Sequence, residues 1–133
     1  MRAVSIALLW GLVCSTAWAS EIPSSMAVKA VLGEAGGLPA YEQGAICHAI
    51  RNRGHLRGVY GLGSTTPRTD KERTSGLKTW LSSGLDEDYT MGATHWLSNW
   101  DLEHCRPGLV AWRHKMIITL RTKHFTFYKE RGF

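Results

Sequence analysis

The sequence predicts a mainly helical α+β domain with a small β element near its C-terminus. Three features predict it. Two stretches of helical spacing lie on either side of a Gly36-Gly37 break closed by Pro39. A segment rich in Gly, Thr and charge then interrupts all periodicity, and Lys123-His124-Phe125-Thr126-Phe127-Tyr128 alternates with the two-residue period of a strand or hairpin arm.

The first residues read as an export signal. Met1-Arg2 is a short basic start, residues 3–13 are almost unbroken apolar sequence, and Ala17-Trp18-Ala19 puts small residues where a signal peptidase reads. The apolar run is shorter than the ~20 residues that a spanning helix needs, so no stable membrane span is expected once it is removed. Val13 before Cys14 argues against a lipoprotein. Residues 1–19 are therefore expected as a signal peptide and 20–133 as one domain, periplasmic or extracellular. Removal takes Arg2 alone among the charged residues and lowers the formal net charge from +5 to +4. That charge suits an anionic partner without selecting one.

In the remaining chain, Ser24-Ser25 can cap a helix that begins near Met26 and continues through Val31 and Leu32 to the glycine pair. A second helix is predicted over 40–53, with Ile46, Ala49, Ile50 and Arg53 at helical spacing and Gly54 ending it. Residues 54–76 read as a long loop, and 77–83 as a short helix. Residues 85–105 have no clear period, and 109–119 read as helix or mixed structure. Trp80, Trp100 and Trp112 are assigned to the core. Cys47 and Cys105 are the two cysteines outside the leader; in an oxidising compartment they read as a disulfide. It would close a loop of roughly 60 residues and stabilise by about 4 kcal/mol.

Glu34 is the leading candidate for chemistry. It follows Val31 by three residues and Ala27 by seven, so it extends an apolar stripe into the last turn of its helix. There the helix dipole and loss of hydration both disfavour a carboxylate. A carboxylic acid that keeps its proton can protonate a leaving glycosidic oxygen.

The surrounding residues carry a resemblance. Val31-Leu32-Gly33-Glu34-Ala35-Gly36-Gly37-Leu38-Pro39 resembles the Gly-Glu-Ala signature that opens the catalytic domain of SleB-type cell wall hydrolases, the spore cortex-lytic family. Glu42-Gln43-Gly44-Ala45-Ile46 leading to Asn52-Arg53, then Gly92-Ala93-Thr94-His95-Trp96, then His124-Phe125-Thr126-Phe127-Tyr128, resemble its later blocks in order. Leu38 stands where many members have a second acidic residue. The resemblance implies a fold related to lysozyme and the lytic transglycosylases, with Glu34 as the catalytic acid. It also implies cleavage of peptidoglycan glycan strands between N-acetylmuramic acid and N-acetylglucosamine, leaving a 1,6-anhydro end.

Hydrolytic glycosidases usually pair two carboxylates, whereas a transglycosylase can use the sugar's own 6-hydroxyl as nucleophile. Asp86, Glu87, Asp88 and Asp101 are the candidates for a second carboxylate if the enzyme is a hydrolytic muramidase. Tyr41, Gln43, Thr94, His95, Trp96 and Tyr128 are expected to line the sugar groove, as stacking rings and polar partners. A monomer is expected, with no cofactor and no metal: the six histidines include no His-Glu-x-x-His spacing. Cys47 and His48 are helix neighbours pointing about 100° apart and cannot form a nucleophile–base pair. No base-reading motif suggests nucleic acid. A non-catalytic murein-binding module is the alternative.

Overall fold

The computed structural model describes residues 21–104 and 111–132. The expected leader and Cys105 lie outside them. Among the described residues, four helices and a three-stranded antiparallel sheet make a mixed α+β architecture. None of these helices is long and apolar enough to cross a membrane.

Helix α1 spans Ser24–Ala35. It starts two residues before the expected point, and neither serine caps it. Pro23 takes the cap position at φ −56°, and its carbonyl accepts the Met26 and Ala27 N–H groups. Proline's fixed φ supplies the entry geometry that a serine side chain would otherwise secure. At the far end the Gly36 N–H donates to the Leu32 carbonyl, and Gly37 adopts φ +82°.

Helix α2, Ala40–Arg53, ends as expected on Gly54, whose φ of +78° is the left-handed cap that glycine takes at little cost. Its residues 42–50 are all buried. A helix covered on every side is the centre of a domain, and α1 and the helix after the loop both pack on it. Polar residues on such a helix need partners. Arg51 finds three on helix α3 (Asp70–Ser83): it donates to the Ser83 hydroxyl (2.8 Å) and the Trp80 carbonyl (2.6 Å), and its guanidinium lies 3.9 Å from the Trp80 ring centroid.

The segment 54–76 is not one long loop. A 3₁₀ turn at Tyr60–Gly63 packs on α1, and α3 begins at Asp70, seven residues earlier than expected. The first turns of α3 are polar, so apolar spacing fails to reveal them. A capping box holds them instead: the Thr69 hydroxyl accepts from the Glu72 N–H, and the Glu72 carboxylate accepts from the Thr69 N–H. Gly76 lets α3 sit close against Val28 and Leu32 of α1.

Strand β1 (His95–Ser98), strand β2 (Met116–Arg121) and strand β3 (Phe125–Glu130) form the sheet, with β3 in the middle. Register places His95 opposite Tyr128 and Met116 opposite Glu130, with an irregularity between Ile118 and Leu120. The expected C-terminal strand is thus β3, and Phe125, Thr126, Phe127 and Tyr128 are all buried. Helix α4 (Asn99–His104) follows β1, and a 3₁₀ turn at Ala111–Lys115 leads into β2. Trp80 is buried as expected. Trp100 is not: on short α4 it stands 66% exposed, its ring stacked on His104. Trp112 is half-buried between His95 and Tyr128.

Candidate functional site

Glu34 sits in the last turn of α1, partly covered rather than free in water. Two glycines create its surroundings. A β-carbon on Gly33 would overlap the Gly61 carbonyl, and one on Gly61 would lie 2.6 Å from the Glu34 nitrogen and 2.7 Å from its Cγ. With hydrogens at both positions the Tyr60–Gly63 turn lies directly on α1. The Gly61 N–H then donates to Glu34 Oε1 at 2.9 Å. A backbone donor fixes one oxygen of the carboxyl group and leaves the other available.

Arg53, at the last turn of α2, is the second member. Burial works against its charge and holds its pKa below the ordinary arginine value, while the nearby Glu34 carboxylate pulls the other way. The guanidinium donates to the Arg57 carbonyl (2.9 Å) and lies 5.5 Å from the Trp96 ring centroid. It also lines an open cleft of about 460 Å³ with Asn52, His55, Thr94, His95 and Glu130. Arg53 thus belongs to the cleft wall, whereas Glu34 is not among the residues that line it.

The cleft wall is set by β1 and β3. The Thr94 N–H donates to the Tyr128 carbonyl (2.9 Å), and its hydroxyl meets His95 Nδ1 at 2.9 Å. The His95 ring packs 5.0 Å from Trp112, which stands edge-on to Tyr128. Burial first, then the Arg53 charge, lower the His95 pKa, with Glu130 opposing. The imidazole is therefore neutral near pH 7 and keeps one donor and one acceptor nitrogen.

Of the expected groove residues, Thr94 and His95 line this cleft, and Trp96 lies under Arg53. Tyr128 is buried behind them, in contact with Trp112. Gln43 is buried as a strut: its amide donates to the Ala35 (3.2 Å) and Leu38 (3.3 Å) carbonyls and braces the bend between α1 and α2. Tyr41 lies in a different cleft. Arg53, Gly61 and Glu130 were not singled out as site residues by the sequence. The Asn52-Arg53 pair closing α2 was the available signal for the first.

Two polar residues tie the site's supports together. Asn52 donates to Asp88 (2.8 Å) and to the Ala93 carbonyl (2.9 Å), fastening the approach to β1 onto α2. Asp88 also accepts from the Thr90 hydroxyl and N–H and from the Gly92 N–H. Burial would raise its pKa, but these hydrogen bonds outweigh it and hold the carboxyl below its usual range. Glu42, buried in α2, accepts from the Thr122 hydroxyl and the His124 N–H and pairs with the His124 ring. It anchors the β2–β3 hairpin from across the domain.

Cys47 lies fully buried, and Cys105 is outside the described residues, as is any bridge between them. Burial pushes the Cys47 thiol pKa up to about 12, opposed in part by Arg51 and Ser83, so it is no nucleophile at neutral pH. Among the described residues no three His, Cys, Asp or Glu side chains are grouped to hold a metal ion. Comparison with protein-family models, curated proteins and solved structures finds no match to this chain.

Proposed function

We propose that this chain cleaves peptidoglycan glycan strands between N-acetylmuramic acid and N-acetylglucosamine, as a lytic transglycosylase with Glu34 as acid and base. The observation that carries the reading is the placement of Glu34. Its carboxyl is partly covered at a helix end and held at one oxygen by the Gly61 N–H, and it acts on the charge of Arg53, which lines a cleft with Thr94 and His95. The resemblance in four ordered sequence blocks points the same way.

In this mechanism protonated Glu34 donates to the glycosidic oxygen. The bond from that oxygen to the anomeric carbon breaks, and its electron pair leaves with the oxygen. The 6-hydroxyl of the same muramyl residue attacks the anomeric carbon, and its proton passes to the Glu34 carboxylate, restoring the acid. The Gly61 N–H positions Glu34, and Arg53, Thr94 and neutral His95 offer hydrogen-bonding groups to N-acetyl groups in the cleft.

A sole acid fits the four carboxylates that the sequence offers as partners. Asp88 is engaged by Asn52, Thr90 and Gly92; Asp86 lines another cleft; Glu87 is exposed; Asp101 belongs to α4. Glu130 lines the Arg53 cleft and is the carboxylate a hydrolytic muramidase would use instead. The substrate lies outside the cytoplasm, in keeping with residues 1–19 as an export signal and a periplasmic or extracellular location. The test is Glu34→Gln, which preserves size and the Gly61 contact: release of soluble fragments from purified murein is expected to fall at least ~100-fold, the usual scale for a general acid. Undiminished release would remove the assignment.

A further inference from the structure

A second cleft opens at the other end of α2. Tyr41 and Arg53 stand twelve residues apart on that helix, about 18 Å along its axis and about 120° around it. This cleft, of about 450 Å³, includes Tyr41, Tyr89, Ser75, Lys78, Ser82 and Asp86 in its walls and shares no lining residue with the cleft of Arg53.

Its floor is an aromatic platform. Tyr41 is 52% exposed, and Tyr89 stacks against it with ring centroids 4.8 Å apart and planes within 14°. Tyr89 is fixed in turn: its hydroxyl donates to the Tyr41 carbonyl at 2.6 Å, and its ring meets His48 edge-on at 5.1 Å. Gly44 makes that possible, because a β-carbon there would overlap the Tyr89 hydroxyl. Around the platform, Lys78 offers hydrogen-bond donors, Asp86 acceptors, and Ser75 and Ser82 hydroxyls that do both.

We propose that this cleft is an accessory site for a pyranose ring of a glycan chain. A pyranose carries C–H groups on its faces and hydroxyls around its rim. The C–H face is slightly positive and matches the negative face of an aromatic ring. The rim hydroxyls match a carboxylate and an ammonium lining one cleft, since each hydroxyl both donates and accepts. A stack held rigid before binding lowers the ordering cost. The site itself stands apart from the lytic reading. Its consequence rests on that reading: a strand held here raises the effective concentration of scissile bonds at Glu34.

The experiment is an NMR titration of the full chain with chitotetraose, following backbone amides. Saturable shifts are expected at Tyr41, Ser75, Lys78 and Ser82. Tyr41→Ala, at an exposed position, is expected to weaken them at least tenfold, and Asp86→Asn several-fold. Absence of saturable shifts at these amides in the native chain, or undiminished affinity in Tyr41→Ala, would overturn the proposal. The two readings fail separately. Saturation here without fragment release from murein leaves this site and removes the lytic reading, whereas fragment release with this cleft silent does the reverse.

Discussion

Replacing Gly61 by alanine puts a methyl group where the turn and α1 touch. The new carbon would overlap the Ala30 carbonyl and crowd the nitrogen and Cγ of Glu34, so the turn must lift away. Overpacking of this kind costs about 1–3 kcal/mol. Lifting the turn also lengthens the Gly61 N–H to Glu34 hydrogen bond, which contributes about 0.5–1.5 kcal/mol. Alanine reduces the freedom of the unfolded chain, which offsets about 0.4–1 kcal/mol. The net expectation is a loss of about 1–4 kcal/mol. Urea unfolding reads it as a midpoint lower by about 0.5–2 M, for a slope near 2 kcal/mol/M. Gly63, in the same turn, is the control: a β-carbon there meets nothing within 4 Å and its φ is not positive. Gly63→Ala is expected to be neutral or slightly stabilising. Equal midpoints for the two variants would refute the claim that the turn is seated on α1 through Gly61.

Other perturbations probe the supports. Glu42→Ala removes a buried acceptor from the Thr122 hydroxyl and His124 N–H; a loss of about 1–3 kcal/mol is expected, with faster amide exchange in the β2–β3 hairpin, and exchange unchanged there would contradict the anchoring role. Thr69→Ala breaks the capping box of α3 and is expected to cost about 1 kcal/mol by urea midpoint; no change would mean that the helix start is held by something else. His48 is buried, and burial lowers its pKa despite Asp88, so the unfolded chain takes up a proton near pH 6.5 before the folded chain does. Its contribution to stability is complete above pH 6.5 and is lost as pH falls through the interval below. Between pH 7.5 and 5.5 the native midpoint is expected to drop more than that of His48→Gln, and parallel curves would show that His48 carries none of the slope.

The parts of this fold that the sequence announces are those with local causes. Gly36-Gly37, Pro39 and Gly54 bound α1 and α2 because each acts on its own backbone, whereas β3 is expected from alternation and is instead a central strand buried at four consecutive residues. The beginning of α3 escapes a search for apolar spacing, although Thr69 and Glu72 carry its local signature. Trp100 reads as core by residue type and is exposed because α4 is a short helix that buries none of its residues. At the candidate site, the sequence points to Glu34 by its apolar stripe and helix end, and the structure places it partly covered in the last turn of α1. The sequence does not point to its partners, since Gly61 is brought to it by a close backbone approach and Arg53 by the packing of α2. For the same reason Tyr41 and His95, both credible sugar contacts as single residues, lie in separate clefts. Gln43 shows the limit most clearly, because only the bend between α1 and α2 gives its amide two carbonyls to hold.

Mass spectrometry of the muropeptides released from purified murein reads the central claim in one measurement. The native chain is expected to release fragments ending in 1,6-anhydro-muramic acid, and Glu34→Gln, folded to the same melting temperature, to release essentially none. Reducing ends would replace the transglycosylase mechanism with hydrolysis. Cut stem peptides, or equal release by the two proteins, would contradict Glu34 as the acid that breaks the glycan strand.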